Sequence, residues 1–157
     1  MKITLIAVGK TDDSRIADLT QVYIDRLQHY VNFDLHIIPD LKKTKNLSEE
    51  QQKNEEGKLI LNQLEKSDFV TLLDEKGKKY TSLQFAQLIN KRSVSGLKRL
   101  VFIIGGPYGF SPDIYSRANS KLSLSDMTFS HQMVRLFAVE QIYRAFTILR
   151  NEPYHHE

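Results

Sequence analysis

The sequence predicts an α/β fold, an open and mostly parallel sheet with helices on both faces. Four short runs carry this prediction: Ile3–Val8, Leu35–Ile38, Phe69–Leu73 and Leu100–Ile104 are apolar with little polar alternation. Strands of that kind are buried on both faces. Between them lie stretches with helical patterning, Ser14–Tyr30, Ser48–Leu64 and Ser82–Ser93, and strand–helix alternation marks a sheet covered by its own crossover helices. The length agrees, since 157 residues, 41% of them apolar and 26% charged, suit one globular domain over 1–157 with a core large enough to carry a pocket.

Taken in chain order, the first strand-like run is too short to span a membrane or serve as a signal sequence. Ser48 with Gln51 forms a capping box at the start of the second helix, whereas Ser82 offers a cap with Phe85 three residues on and completes none. The stretch Lys42–Lys58 is the most hydrophilic and reads as a solvated loop and helix face, the alternative being an RNA-facing arm using Lys42, Lys43 and Lys45. Ser120–Ser130 (SKLSLSDMTFS) reads as a short strand followed by an ordered loop that lacks glycine. The final helix, His131–Leu149, is apolar on almost every side and must be covered on more than one face, by the sheet and by a second subunit. Within it Glu140 and Arg144 stand at i,i+4 and can pair, while Arg135, if buried, needs a partner or a ligand.

Several function classes are excluded. Cysteine is absent, which removes disulfides, thiolate metal sites and a cysteine nucleophile and fits a cytoplasmic, reducing location. There is no Walker loop, GxGxxG, HExxH or GxSxG, and the five histidines (29, 36, 131, 155 and 156) show no metal-ligand spacing. No metal and no membrane partner is expected. Charge is uneven: residues 1–80 hold 13 Lys and Arg against 14 Asp and Glu, whereas residues 81–157 hold 9 against 5. A basic half suits a polyanionic partner, and also suits a merely solvated surface.

Three post-strand segments are candidates for a site, because ligands of open α/β sheets sit beyond the carboxyl ends of the strands. In IIGGPYGFSP (103–112), Gly105 and Gly106 allow close backbone approach and unusual dihedrals. Leu73-Asp74-Glu75-Lys76-Gly77 is a polar loop after the third strand. In the third, SLSDMTFS, backbone groups can read an adenine edge between apolar walls from Leu124, Met127 and Phe129.

MKITLIAVGK, LLDEKGK, IIGGPYG, LSLSDMTFSHQMVR, EQIYRAF and PYHHE, in this order and over essentially the whole chain, resemble the RlmH family of SPOUT-superfamily methyltransferases. The resemblance implies a C-terminal trefoil knot, a homodimer and S-adenosyl-L-methionine (SAM) as methyl donor. It implies methylation at N3 of a pseudouridine in helix 69 of 23S rRNA, within the assembled ribosome. By the same resemblance Leu73, Gly105 and Leu124, Ser125, Asp126, Met127, Thr128 and Phe129 bind SAM. Tyr154 and His155 lie near cofactor and RNA, with His155 as proton acceptor and Tyr154 orienting or stacking on the base. Arg135 supplies positive charge to the imide anion or serves as a structural interface arginine. His131 is a helix-capping candidate. The family often places Arg or Lys after the Tyr-His pair, where this chain has His156 and Glu157. Candidate phosphate contacts are Lys10, Lys91, Arg92, Lys98, Arg99, Arg117 and Lys121. The competing reading is a non-catalytic RNA- or ribosome-binding α/β module, which would bind RNA in a salt-dependent way without regard to SAM.

Overall fold

Strand residues that alternate between two apolar faces need cover on both, and the chain supplies it. In the computed structural model, which describes residues 1–156 and leaves Glu157 outside the described residues, five strands form one sheet. They are β1 (Lys2–Val8), β2 (Asn32–Ile38), β3 (Phe69–Lys79), β4 (Arg99–Ile104) and β5 (Ser120–Ser123), in the order β2-β1-β4-β3-β5 and all parallel. Five helices connect them: α1 (Ser14–Gln28), α2 (Glu49–Leu61), α3 (Ser82–Val94), α4 (Pro112–Arg117) and α5 (His131–Leu149). Ile3, Leu5, Leu100, Phe102 and Ile104 pack with α1, α3 and α5 on one side of the sheet. Ile6, Val8, Val70, Leu72, Val101 and Ile103 pack with Ile60 of α2 and Ile114 of α4 on the other. Each fully buried aliphatic side chain contributes roughly 1.5–3 kcal/mol, so neither face can be left bare.

Local signals fix most helix starts. Ser48 and Gln51 make the predicted reciprocal box, with Gln51 N donating to Ser48 Oγ at 3.1 Å and Ser48 N to Gln51 Oε1 at 2.9 Å. The start of α3 differs from expectation: Thr81, not Ser82, is the N-cap, and with Gln84 it completes a second capping box. Thr81 Oγ1 accepts from Gln84 N at 3.2 Å, and the frame shifted by one residue because both hydroxyl residues can cap. The six-residue α4, started by Ser111 with Pro112 behind it, was not anticipated.

One further expectation is corrected. The polar segment after Leu73 is not a plain loop, because β3 runs on to Lys79. Leu73 and Lys78 both pair with Leu122, so Asp74–Gly77 bulge out between them. Within the chain, α5 packs between α1 and α3 above the sheet. Phe137 stays 36% exposed, beside Phe129 at a ring-centroid distance of 5.1 Å. Among the described residues no helix is long and apolar enough to cross a membrane.

Candidate functional site

The three post-strand segments meet at the carboxyl ends of β4, β3 and β5. Leu73, Gly105 and all of Leu124, Ser125, Asp126, Met127, Thr128 and Phe129 line one cleft of about 900 Å³. Its wall between β4 and α4 is the Gly105–Phe110 turn, closed by Gly109 N donating to Gly106 O at 3.1 Å. The left-handed residue of this turn is Gly109 (φ 80°); Gly105 and Gly106 do not have positive φ. What those two glycines provide is room. A methyl group on Gly105 would lie 3.1 Å from the Phe110 ring, and one on Gly106 would overlap the Glu56 carboxylate.

The opposite wall is the loop after β5. Ser123 Oγ donates to Ser125 O at 2.9 Å, and Met127 N donates to Ser125 Oγ at 2.9 Å, so serines order the glycine-free loop. Among the described residues, no backbone-to-backbone hydrogen bond outside the helices and strands involves 124–129. The peptide groups of this wall are therefore not consumed by one another. Asp126 is held by an ion pair with Lys79. Met127 is 75% exposed at the rim. At the β3 bulge, Asp74 Oδ1 accepts from Lys76 N at 2.8 Å and Oδ2 from Tyr115 Oη at 2.5 Å. Burial, then the Asp74 carboxylate, pushes the Tyr115 phenol up to about 12.

Behind the glycine turn sits Glu56, buried on α2 with Oε1 accepting from Gln52 Nε2 at 3.1 Å and Oε2 lacking a partner. Burial raises its pKa, Gln52 opposes the shift, and the Asp40 charge adds to it. This places a buried acid inside the stretch that the sequence presents as solvated.

Other residues line the cleft that sequence reasoning did not assign to it. Glu49 and Lys53 reach it from the first turns of α2, and His131 and Val134 from the start of α5. Their i,i+4 and i,i+3 spacings behind the caps Ser48 and Ser130 were the legible signal. Ser130 itself caps α5, its Oγ accepting from Met133 N at 3.3 Å; His131, expected as a capping candidate, instead lies inside the helix and lines the cleft.

Arg135, Tyr154 and His155 are not among the residues lining this cleft. Arg135 is fully buried and, among the described residues, forms no ion pair: Nη2 donates to Val8 O at 2.7 Å and Nη1 to Thr11 Oγ1 at 3.1 Å. Burial lowers its pKa, with Asp12 and Asp40 opposing. Its neighbour Gln132 accepts from Asp12 N at 2.9 Å and donates to Lys10 O at 3.2 Å, so the start of α5 is tied to the loop after β1.

The tail folds back along α5, turned by Asn151 in the left-handed region (φ 54°), a conformation Asn tolerates. Tyr154 Oη donates to Glu140 Oε1 at 2.9 Å and its ring meets Tyr143 at 4.8 Å. Glu140 and Arg144 form the i,i+4 pair expected of them, at 2.6 Å. Burial, then hydrogen bonding with Tyr23 and Glu140, holds the Tyr154 phenol well above its ordinary range. Arg144 Nη1 lies 3.3 Å from His155 Nδ1.

The suggested phosphate contacts divide. Arg99 is paired with Asp68, and Arg117 donates to the carbonyls of Glu65 and Asp68. Arg92 stacks on Phe69 at 3.7 Å. Lys10, Lys91, Lys98 and Lys121 are exposed. Among the described residues no group of three or more His, Asp or Glu side chains could hold a metal ion.

A family model described as "Predicted SPOUT methyltransferase" matches residues 1–155, and this sets the class of the fold: a SPOUT methyltransferase. "Ribosomal RNA large subunit methyltransferase H" of Christiangramia forsetii is 64% identical over 156 residues, covering 99% of both chains. The protein of the same name from Flavobacterium johnsoniae is 59% identical over 157 residues and covers both chains fully. The chain belongs to the RlmH family of SPOUT methyltransferases. The fold is also that of the Aquifex aeolicus tRNA (m1G37) methyltransferase, with a TM-score of 0.58 at 16% identity over 100% of this chain and 76% of that one. Family membership implies the C-terminal trefoil knot.

Proposed function

We propose that this protein is a SAM-dependent methyltransferase of large-subunit ribosomal RNA, acting at N3 of a pseudouridine in helix 69 of 23S rRNA in the assembled cytoplasmic ribosome. The observation that carries this reading is the single cleft shared by Leu73, Gly105 and Leu124–Phe129, together with relatives named for methylation of large-subunit ribosomal RNA. SAM fits the cleft by chemistry: the peptide groups of 124–129, which among the described residues make no hydrogen bonds to other backbone groups outside the helices and strands, suit an adenine edge, and the Gly105–Gly106 turn can pack close against Phe110 and Glu56. Leu73, Leu124, Met127 and Phe129 supply apolar surface. When bound, SAM supplies an electrophilic methyl group on a sulfonium.

The residues of the chain then act by positioning, which contributes roughly 7–11 kcal/mol when attacking atom and methyl are aligned. N3 of the uracil-like ring must lose a proton as it attacks. Tyr154, its hydroxyl engaged with Glu140, offers its ring to orient or stack on the base. His155, whose ring stands 3.3 Å from Arg144, is the group that takes the N3 proton as the N–CH3 bond forms and the sulfonium C–S bond breaks. Arg135 contributes by anchoring α5 to β1, its guanidinium being engaged with Val8 and Thr11.

The active form is a homodimer through α5. Tyr154 and His155 dock on α5 away from their own cleft, and exposed Phe129 and Phe137 offer an apolar seat beside it. A second copy packed there is the arrangement that brings a tail to a cleft.

Two measurements test the reading. Calorimetry should give saturable SAM binding to the isolated protein, and undermodified ribosomes should gain one methyl group on the target pseudouridine by mass spectrometry of the RNA. Salt-dependent RNA binding with no heat from SAM would instead establish the non-catalytic module.

A further inference from the structure

A second depression lies beside the cleft, between the far end of β3 and the outer face of α3. It measures about 420 Å³ and is lined by Lys78, Lys79, Tyr80, Gln84, Gln87 and Lys91, with Leu88 at its floor. The sequence dictates this composition. Gln84, Gln87 and Lys91 stand at i, i+3 and i+7, one face of a helix. The bulge at Asp74–Gly77 restores β3 pairing at Lys78 and Lys79, which carries the strand past the cleft to face that helix.

No carboxylate is among the lining residues, unlike the depression on the other side of the bulge, where Asp74 accompanies Lys76 and Lys121. The Lys78 ammonium stands 5.0 Å from the Tyr80 ring centroid. The groove joins the cleft physically. Lys79 pairs with Asp126 of the cleft loop, and Tyr80 also lines a small hollow with Leu124 and Phe129, both of which line the cleft.

We propose that this groove holds the RNA strand next to the methylated nucleotide, with Lys78 and Lys91 on phosphates. Tyr80 offers a stacking face, and Gln84 and Gln87 offer amides to 2′-hydroxyls or base edges. The proposal rests on the RNA-directed reading of the cleft. Phosphates need dispersed cations, and single-stranded RNA needs a ring to stack on and groups that both donate and accept. An acidic protein segment would use the lysines but neither the ring nor the amides, which favours RNA.

The test compares wild type, K78Q/K91Q, K78E/K91E, Y80A and K66E. Lys66 is exposed just before the opposite end of β3, so K66E controls for net charge. Binding to undermodified 70S ribosomes is measured against salt with and without SAM, SAM affinity by calorimetry, and methyl transfer as KM and kcat. In the Gln pair the salt slope should fall by about 1.5, since each phosphate contact contributes about 0.7–0.9. In the Glu pair ribosome affinity should fall at least about tenfold. KM should rise with kcat nearly kept, SAM affinity should not move, and K66E should match wild type. A pair that keeps the wild-type slope and KM overturns the groove, as does a K66E loss equal to that of K78E/K91E. Binding that survives in Y80A with wild-type affinity and slope makes the groove a plain cation patch and overturns its use for a stacked strand. Wild type that binds ribosomes through these lysines yet transfers no methyl refutes the enzymatic reading while leaving the groove standing.

Discussion

The cleft and the tail were both expected to serve the same reaction, yet they are built in opposite ways. The cleft is walled by backbone, small residues and side chains that stop short: Gly105, Gly106, Ser123 and Ser125 leave its middle open. The tail is closed upon itself, with Tyr30 donating to Glu152 at 2.5 Å, Tyr154 to Glu140, and rings from Tyr23, Tyr30 and Tyr143 in contact. Among the described residues the cleft loop makes no hydrogen bonds to other backbone outside the helices and strands, whereas the tail engages its side chains with one another. The first is vulnerable to added atoms, the second to removed ones.

Adding one methyl at Gly77 gives the largest expected effect on SAM binding. A Cβ there would lie 2.5–2.7 Å from the backbone of Leu122 and Ser123, which cannot yield without moving β5 and the loop behind it. G77A should weaken SAM binding at least about tenfold, or about 1.4 kcal/mol, and lower Tm. Unchanged SAM affinity and Tm in G77A would mean that the β3–β5 register does not organise the cleft.

Removing atoms from the tail gives the next effect. A chain ending at Pro153 should keep SAM affinity within about twofold, because none of the described tail residues lines the cleft. Methyl transfer should fall at least about a hundredfold, the scale of losing positioned proton-handling groups. Full transfer by the shortened chain would erase the contrast and take Tyr154 and His155 out of the mechanism.

The smallest effect sharpens the boundary behind the glycine turn. Glu56 has a raised pKa in the folded protein, so folding favours its protonated form. Its stability contribution is fully present below the unfolded value of about 4.3 and is lost as pH rises through the folded value. E56Q removes that loss and should raise Tm at pH 8 while leaving it near wild type at pH 4. A variant less stable at pH 8 would show that the ionised carboxylate is used.

The sequence made the sheet legible because period-2 burial on both faces demands unbroken apolar runs, as in Leu100–Ile104. The cleft was legible as three post-strand segments, since strand ends of a parallel sheet converge. The continuation of β3 was hidden by its own composition: Asp-Glu-Lys-Gly reads as a loop, and only pairing with Leu122 on both sides of the bulge makes it strand. Arg135 announced that it needed a partner, but a carbonyl 127 residues away leaves no local trace. The docking of the tail depends on a left-handed Asn151 and on Tyr23 and Tyr30, near the start of the chain. Such distant pairings have no spacing rule.

The union of Arg135 with Val8 joins the last helix to the first strand, and this has a bearing on synthesis. A ribosome delivers β1 early and α5 last, so Ile3, Leu5 and Phe102 lack part of their roof until almost the whole chain has emerged. A nascent chain of this kind carries a sticky half-finished core for most of its translation. Prematurely terminated products, lacking the helix that seals one face, are accordingly the species that chaperones and proteases must clear.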